Sequence, residues 1–282
     1  MTGGTFQGWY FKHQQGPRTL AVIVGRASEE AFLQVITPQG AHRVKYPLGD
    51  YRMGKGTLRL GENLFTSRGI RLRVHRPGLE LEGLLRYGSL TPIRGDIMGP
   101  FRFLPMECRH SVVSMDHRVA GQVRLNGTIL DFSRGRGYLE GDAGRSFPRA
   151  YTWVQCNDFP RCCSVMASAA QIPFMGGWFW GCIGVVWLEG REYRLATYRG
   201  ARILRRGAAQ LVLAQGSLTL EVSFLQPHGG HLLDAPARGR MDRTIREAPS
   251  APASFTLYRG GRVLFQGESP FASYEQVDSP TD

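Results

Sequence analysis

Apolar and polar residues alternate over short runs that recur roughly every ten residues along this chain. Leu20 to Val24, Phe32 to Thr37, Ile70 to Val74, Leu79 to Leu85, Val119 to Leu125, Tyr151 to Cys156, Ser164 to Ala170, Cys182 to Trp187, Leu218 to Phe224 and Val263 to Gln266 are of this kind. Side chains of a strand alternate between its two faces, so the pattern predicts many short strands. Asn126-Gly127, between Val-Arg-Leu and Thr-Ile-Leu, predicts a two-residue hairpin, because both positions accept positive φ. Gly190 and Gly260-Gly261 mark two further hairpins. Only Ser28 to Phe32 and Met241 to Glu247 predict helix, and both are short. The pattern therefore predicts an all-β sandwich or barrel.

A faint internal duplication appears when the halves are overlaid. Gly8 to Gln14 then falls near Ala150 to Gln155, and Ile70 to Val74 near Leu218 to Val222. This predicts two similar β-modules, 1–110 and 111–282, meeting near Gly95 to His117. The segment Pro227 to Ala253, rich in Pro, Gly and Arg, reads as a long surface connection or lid.

With 282 residues and 42% apolar composition, the chain can bury a sizeable core. Its longest apolar run, Ile172 to Leu188, is interrupted by Pro173, Gly176, Gly177, Gly181 and Gly184, which suits turns and strands rather than a spanning helix. The first residues carry no basic stretch leading into an apolar one, so no secretory signal is expected and a cytoplasmic location is. Five cysteines, including the neighbours Cys162 and Cys163 but no Cys-x-x-Cys pair, read as reduced thiols. The net charge of +12 suits nucleic acid, anionic lipid or a phosphorylated substrate. The basic residues are scattered singly without a recognition motif, which argues against nucleic acid and leaves peripheral contact with an anionic membrane open. His228 and His231, in a glycine-rich loop, are weak metal candidates. A nucleophile elbow and a phosphate-binding loop are both missing, and no cofactor is expected.

Candidate chemistry concentrates in three places. In Gly137-Tyr138-Leu139-Glu140-Gly141-Asp142, two carboxylates two residues apart share one side of a strand. Facing an apolar pocket, an acid keeps its proton. The alternatives are exposed pairs with Arg136 and Arg145, or a turn held by Asp142. In Met106-Glu107-Cys108-Arg109-His110, a strand sends Glu107 and Arg109 to one side and Cys108 and His110 to the other. Glu107 then either pairs with Arg109 across the modules, or Glu107 or His110 acts as a base. The aromatic residues read mostly as core. Phe174 to Trp180, with paired glycines, suits the mouth of a pocket.

The stretches Gly137 to Asn157 and Met106 to His110, together with Phe6-Gln7-Gly8-Trp9-Tyr10-Phe11-Lys12, resemble the tocopherol cyclase family from about Phe6 to about Tyr198. The resemblance implies two lipocalin-like antiparallel β-modules packed together, and closure of a chromanol ring by protonation of a prenyl double bond. Such chemistry needs a neutral acid, aromatic faces and little water. The expected acid pair is Glu140 and Asp142, with Arg145 orienting one of them. Trp9, Glu107, His110, Tyr138, Trp153, Phe174, Trp178 and Trp180 are expected around a hydrophobic small molecule held between the modules. The expected activity is cofactor-independent, acid-catalysed cyclisation or isomerisation of a prenylated or otherwise apolar substrate by an intramolecular cyclase. The alternative is a non-catalytic lipocalin-like binding protein.

Overall fold

A computed structural model describes residues 4–225 and 229–278. Among these residues the chain forms two antiparallel sheets and no α-helix. The 12 strands of the first are β1 (Phe6–Gln15), β2 (Arg18–Arg26), β3 (Ala31–Thr37), β4 (Gly40–Tyr46), β5 (Tyr51–Gly54), β6 (Thr57–Leu60), β7 (Asn63–Thr66), β8 (Gly69–Arg76), β9 (Leu79–Tyr87), β10 (Cys108–Leu125), β11 (Thr128–Asp131) and β12 (Gly135–Gly144). The 10 strands of the second are β13 (Tyr151–Cys156), β14 (Cys163–Phe174), β15 (Gly177–Leu188), β16 (Arg191–Ala196), β17 (Arg202–Gly207), β18 (Gln210–Gln215), β19 (Leu218–Phe224), β20 (His231–Ala237), β21 (Arg240–Arg259) and β22 (Arg262–Val277).

The first sheet runs β4-β3-β2-β1-β12-β10-β9-β8-β7-β6-β5 and the second β16-β15-β14-β13-β22-β21-β19-β18-β17. The second path repeats the first nine strands of the first, which goes on to β6 and β5, and β12 and β22 are equivalent strands in them. The strand order thus carries the duplication, and the overlay of Gly8 on Ala150 matches β1 to β13. The overlay of Ile70 on Leu218 is one strand out, because β19 is the counterpart of β9 rather than of β8.

Three expectations need correction. The division at 110/111 falls inside the first sheet, because β10 is bonded to both β9 and β12; the second sheet begins at Tyr151. Ser28 to Phe32 is a turn leading into β3, whose seven residues are all buried, leaving no polar face for a helix. Met241 to Glu247 belongs to β21 and pairs with β20, with Asp242, Thr244 and Arg246 exposed on alternate positions. Most of Pro227 to Ala253 is therefore sheet rather than a surface connection, while His228 lies outside the described residues. The Asn126-Gly127 hairpin joins β10 to β11 with φ of 47° and 83°.

Each module has its own apolar core, and a third cluster lies between them, including Tyr10, Met115, Tyr138, Tyr151, Trp153, Met166 and Ile245. Polar ties cross the same junction. Lys12 Nζ donates to the Phe271 carbonyl at 3.0 Å, and the Gln34 amide pairs in both directions with the Asp234 backbone. Burial of these donors and acceptors in matched pairs fixes one relative placement of the modules.

Candidate active site

β12 and β10 bring the first chemical group together. Gly141 stands opposite Trp9 in β1, and a Cβ there would come within 2.6 Å of the indole ring, so only glycine lets the ring lie across the strand. On the other face, Tyr138, Glu140 and Asp142 follow at strand spacing. His110 is the direct register partner of Asp142 and the diagonal neighbour of Glu140. Its Nδ1 lies 3.0 Å from Asp142 Oδ1. Its Nε2 lies 3.2 Å from Glu140 Oε2, an ion-pair distance, with the N–H off line for a hydrogen bond. Behind them the Tyr138 hydroxyl donates to Glu140 Oε2 at 2.5 Å.

Burial alone would lower the proton affinity of His110, but the charges of Glu140 and Asp142, and the hydrogen bond with Asp142, carry it well above the usual histidine value. The imidazole is thereby held as imidazolium. The other two buried histidines behave oppositely: burial pushes His13 down to about 3 and His117 down to about 4, so both are neutral packing groups. His110, Glu140 and Asp142 also offer ligand atoms within 4.8 Å of one another, so they form a candidate cation site among the described residues.

This cluster forms part of the wall of an apolar cavity of about 160 Å³ that opens to solvent between the modules. The first module contributes Trp9, Tyr10, Ile23, Cys108, His110, Glu140 and Asp142, and the second Tyr151, Trp153, Ala170, Ile172, Ile183 and Glu275. Met98, Phe101, Met106 and Phe147 close the sides. A space of this size takes a benzene-sized group, so a longer chain must extend through the opening.

A second acid group faces the same cavity. Glu275 in β22 accepts the Tyr151 hydroxyl at 2.7 Å, and its register partner Glu247 in β21 accepts the Tyr10 hydroxyl at 2.6 Å. Burial, reinforced by the charge of Glu247, raises the Glu275 carboxyl well above the ordinary acid range. Burial likewise pushes Glu247 up to about 7, against the opposing effects of the Tyr10 hydrogen bond and the Lys12 charge. Lys12 is itself lowered to about 8 by burial.

The cavity therefore gathers His110, Glu140, Asp142 and Trp153 of the expected residues, whereas Trp9 borders it with its ring turned to the opposite face of β1, against the first module's core. Tyr138 stands behind the wall and acts on Glu140. Cys108 and His110 share the inner face as expected, with Arg109 exposed, but Glu107 lies off the wall. Burial raises its carboxyl, and the nearby charge that favours ionisation is Arg243 of β21 rather than Arg109. Arg145 is exposed and its side chain pairs with neither acid; the side chain that contacts both is His110. Trp178 and Trp180 are also not part of the lining, because Phe179, Gly181 and Ile183 occupy the inward parity of β15. Their rings carry the guanidiniums of Arg149 and Arg206, at 4.3 and 4.1 Å. Phe174 continues the inward face of Ile172 to the rim, against Phe179. Sequence reasoning missed Glu247, Glu275 and Tyr151 as polar site groups. The available signal was a lone acid, Glu275, ending the otherwise uncharged run Ser269 to Tyr274.

The tocopherol cyclase-like family model matches residues 78–274, which include His110, Glu140, Asp142 and Glu247. The chain belongs to the tocopherol cyclase-like family. Among curated proteins no match is found. The fold is shared with kievitone hydratase from Nectria haematococca, at 11% identity over 98% of this chain and 89% of that one, TM-score 0.57. It is also shared with CghA in complex with Sch210972, at 9% identity over 98% and 88% of the two chains, TM-score 0.64. For this member of the tocopherol cyclase-like family, the family assignment supports a catalytic, cyclase-like role. No helix among the described residues is long and apolar enough to cross a membrane.

Proposed function

We propose that the protein is a cofactor-independent enzyme that cyclises or isomerises an apolar, prenylated substrate by protonating an alkene in the cavity between the modules. One observation carries this reading: Glu275, a carboxyl whose hold on its proton burial strengthens, and the His110, Glu140 and Asp142 cluster face a single apolar space. The acid role expected of Glu140 and Asp142 passes to Glu275, and the pair becomes the proton-accepting side.

Glu275 gives its proton to the less substituted alkene carbon, leaving a tertiary cation. Tyr10 and Trp153, in edge-to-face contact at 5.5 Å, present aromatic surface to that charge. A phenol oxygen of the substrate forms the new C–O bond and releases its proton to Asp142, the more exposed carboxylate beside His110. The proton lost by Glu275 equals the one gained by Asp142, and solvent returns the balance between turnovers. Water in place of the phenol would give hydration, the activity named for the structurally similar kievitone hydratase.

The test is turnover of prenylated hydroquinones of increasing chain length in D₂O. The expected product carries one deuterium on the carbon that was protonated, and Glu275→Gln binds the probe without converting it. Tight binding with no conversion by the unaltered protein would instead make it a carrier.

A further inference from the structure

The hairpin of β14 and β15 extends the cavity wall to its rim and then beyond it. From Cys163 to Leu188 it contains no charged residue. Its tip leaves Met175 90% exposed, Phe174 54% and Trp178 44%, where hairpin turns ordinarily carry polar residues. A second apolar point lies alongside: Phe103 is 76% exposed, and its near neighbour Phe101 both lines the cavity and approaches Phe179 of the hairpin at 6.5 Å between ring centroids.

Arginines stand over the rings at these points. The Arg149 guanidinium covers Trp178 at 4.3 Å, Arg102 covers Phe103 at 4.5 Å, and Arg199 lies over Tyr198, which packs edge-on against Phe101. All three arginines are exposed, and none forms an ion pair among the described residues. Aromatic and Met side chains beside arginines form the composition that settles at the boundary between lipid headgroups and acyl chains. A second copy of this chain, at +12, would bring like charges against the same surface.

We propose that this rim docks on an anionic bilayer, with Phe103, Phe174, Met175 and Trp178 entering the interface and Arg102, Arg149 and Arg199 meeting lipid phosphates. The cavity mouth then opens toward the membrane, and an apolar ligand passes from lipid to protein without crossing water. The proposal stands whether the ligand is converted or merely carried.

Vesicle co-sedimentation of the full chain tests it, using phosphatidylcholine with and without phosphatidylserine. Binding is expected only with phosphatidylserine at low salt. Met175→Ser with Phe103→Ser should weaken it by at least about tenfold, since both side chains lose apolar insertion. Arg102→Gln and Arg149→Gln should each weaken it roughly fivefold. Quenching of tryptophan fluorescence by lipids brominated on their acyl chains reads insertion in the unaltered protein, independent of how any variant folds. Failure to bind the anionic vesicles, binding that ignores the Met175 and Phe103 changes, or a Met175-dependent dimer in sedimentation velocity would each overturn the proposal.

Discussion

His110 and Glu275 reach one cavity from different sheets, and for different reasons both hold their protons more tightly than usual. Two carboxylates favour the charged imidazole, while burial beside Glu247 raises the Glu275 carboxyl well above the ordinary acid range. In the proposed reaction, Glu275 is the donor and the carboxylates beside His110 are the acceptor. Glu275→Gln keeps the size and the contact with Tyr151 but has no proton to give, so kcat should fall by about 10²- to 10⁴-fold with KM little changed. In the unaltered enzyme, kcat/KM should decline as pH rises through the elevated Glu275 value. A pH profile that is flat through neutrality and above would remove Glu275 from the reaction.

Removing the imidazolium should expose the cost of what it holds. In His110→Asn, Glu140 and Asp142 lose their shared cation, and stability should drop on the order of 2 kcal/mol at pH 7. His110 binds its proton more tightly folded than unfolded, so its contribution is complete below the ordinary 6.5 and is lost as pH rises through the folded value. Thermal melts across pH should therefore show the deficit of the variant shrinking at high pH, and adding Asp142→Asn should recover part of it.

Glu247 supplies a second pH effect. The folded chain keeps its proton up to about pH 7 and the unfolded chain only to its ordinary 4.5, so between these limits the fold holds more protons and loses stability as pH rises. Glu247→Gln, which still accepts from Tyr10, should match the unaltered protein at pH 4 and exceed it at pH 8, by on the order of 2 kcal/mol. Lys12 acts in the next window: its burial penalty is full below about 8 and fades toward 10.5. Urea midpoints at the two pH values decide the matter.

Filling the cavity separates ligand space from fold. Ala170 lines it, and Ala170→Leu should hold or raise the melting temperature while weakening binding of a prenylated probe by at least about tenfold. Calorimetry with the probe would show an unchanged affinity if the ligand sits elsewhere.

A cation at His110, Glu140 and Asp142 would require a neutral imidazole, whereas the two carboxylates favour its protonated form. Dialysis against EDTA should leave turnover of the prenylated probe unchanged. Loss on dialysis with recovery on adding Zn²⁺ would make the cluster a metal centre instead.

Local pattern was enough for the strands and for the faces they present: Cys108 and His110 lie inward, and Glu140 and Asp142 share a side, as alternation requires. Alternation alone does not say which side of a strand is covered, and Trp178 and Trp180 therefore went to the wrong face. Glu247 was hidden by the helix-like spacing of Met241 to Glu247, where pairing with β20 overrides local preference. Glu275 carries meaning only because β22 pairs with β13 and sets it opposite Trp153, a contact between distant parts of the chain. Arg145 follows Asp142 closely in sequence, yet it projects to solvent and the side chain that contacts both acids comes from another strand.

The repeated strand order has a consequence for stereochemistry. Asp142 and Glu275 each stand two residues before the last residue of their strand, and those strands are equivalent in the two modules. Two identical subunits meeting in this way would place the same acid on both sides, and a substrate could turn end for end between them without penalty. A single continuous chain lets the two sides differ, so the cavity has a polarity. In the proposed reaction, a substrate then has one productive way round and presents one face of its double bond.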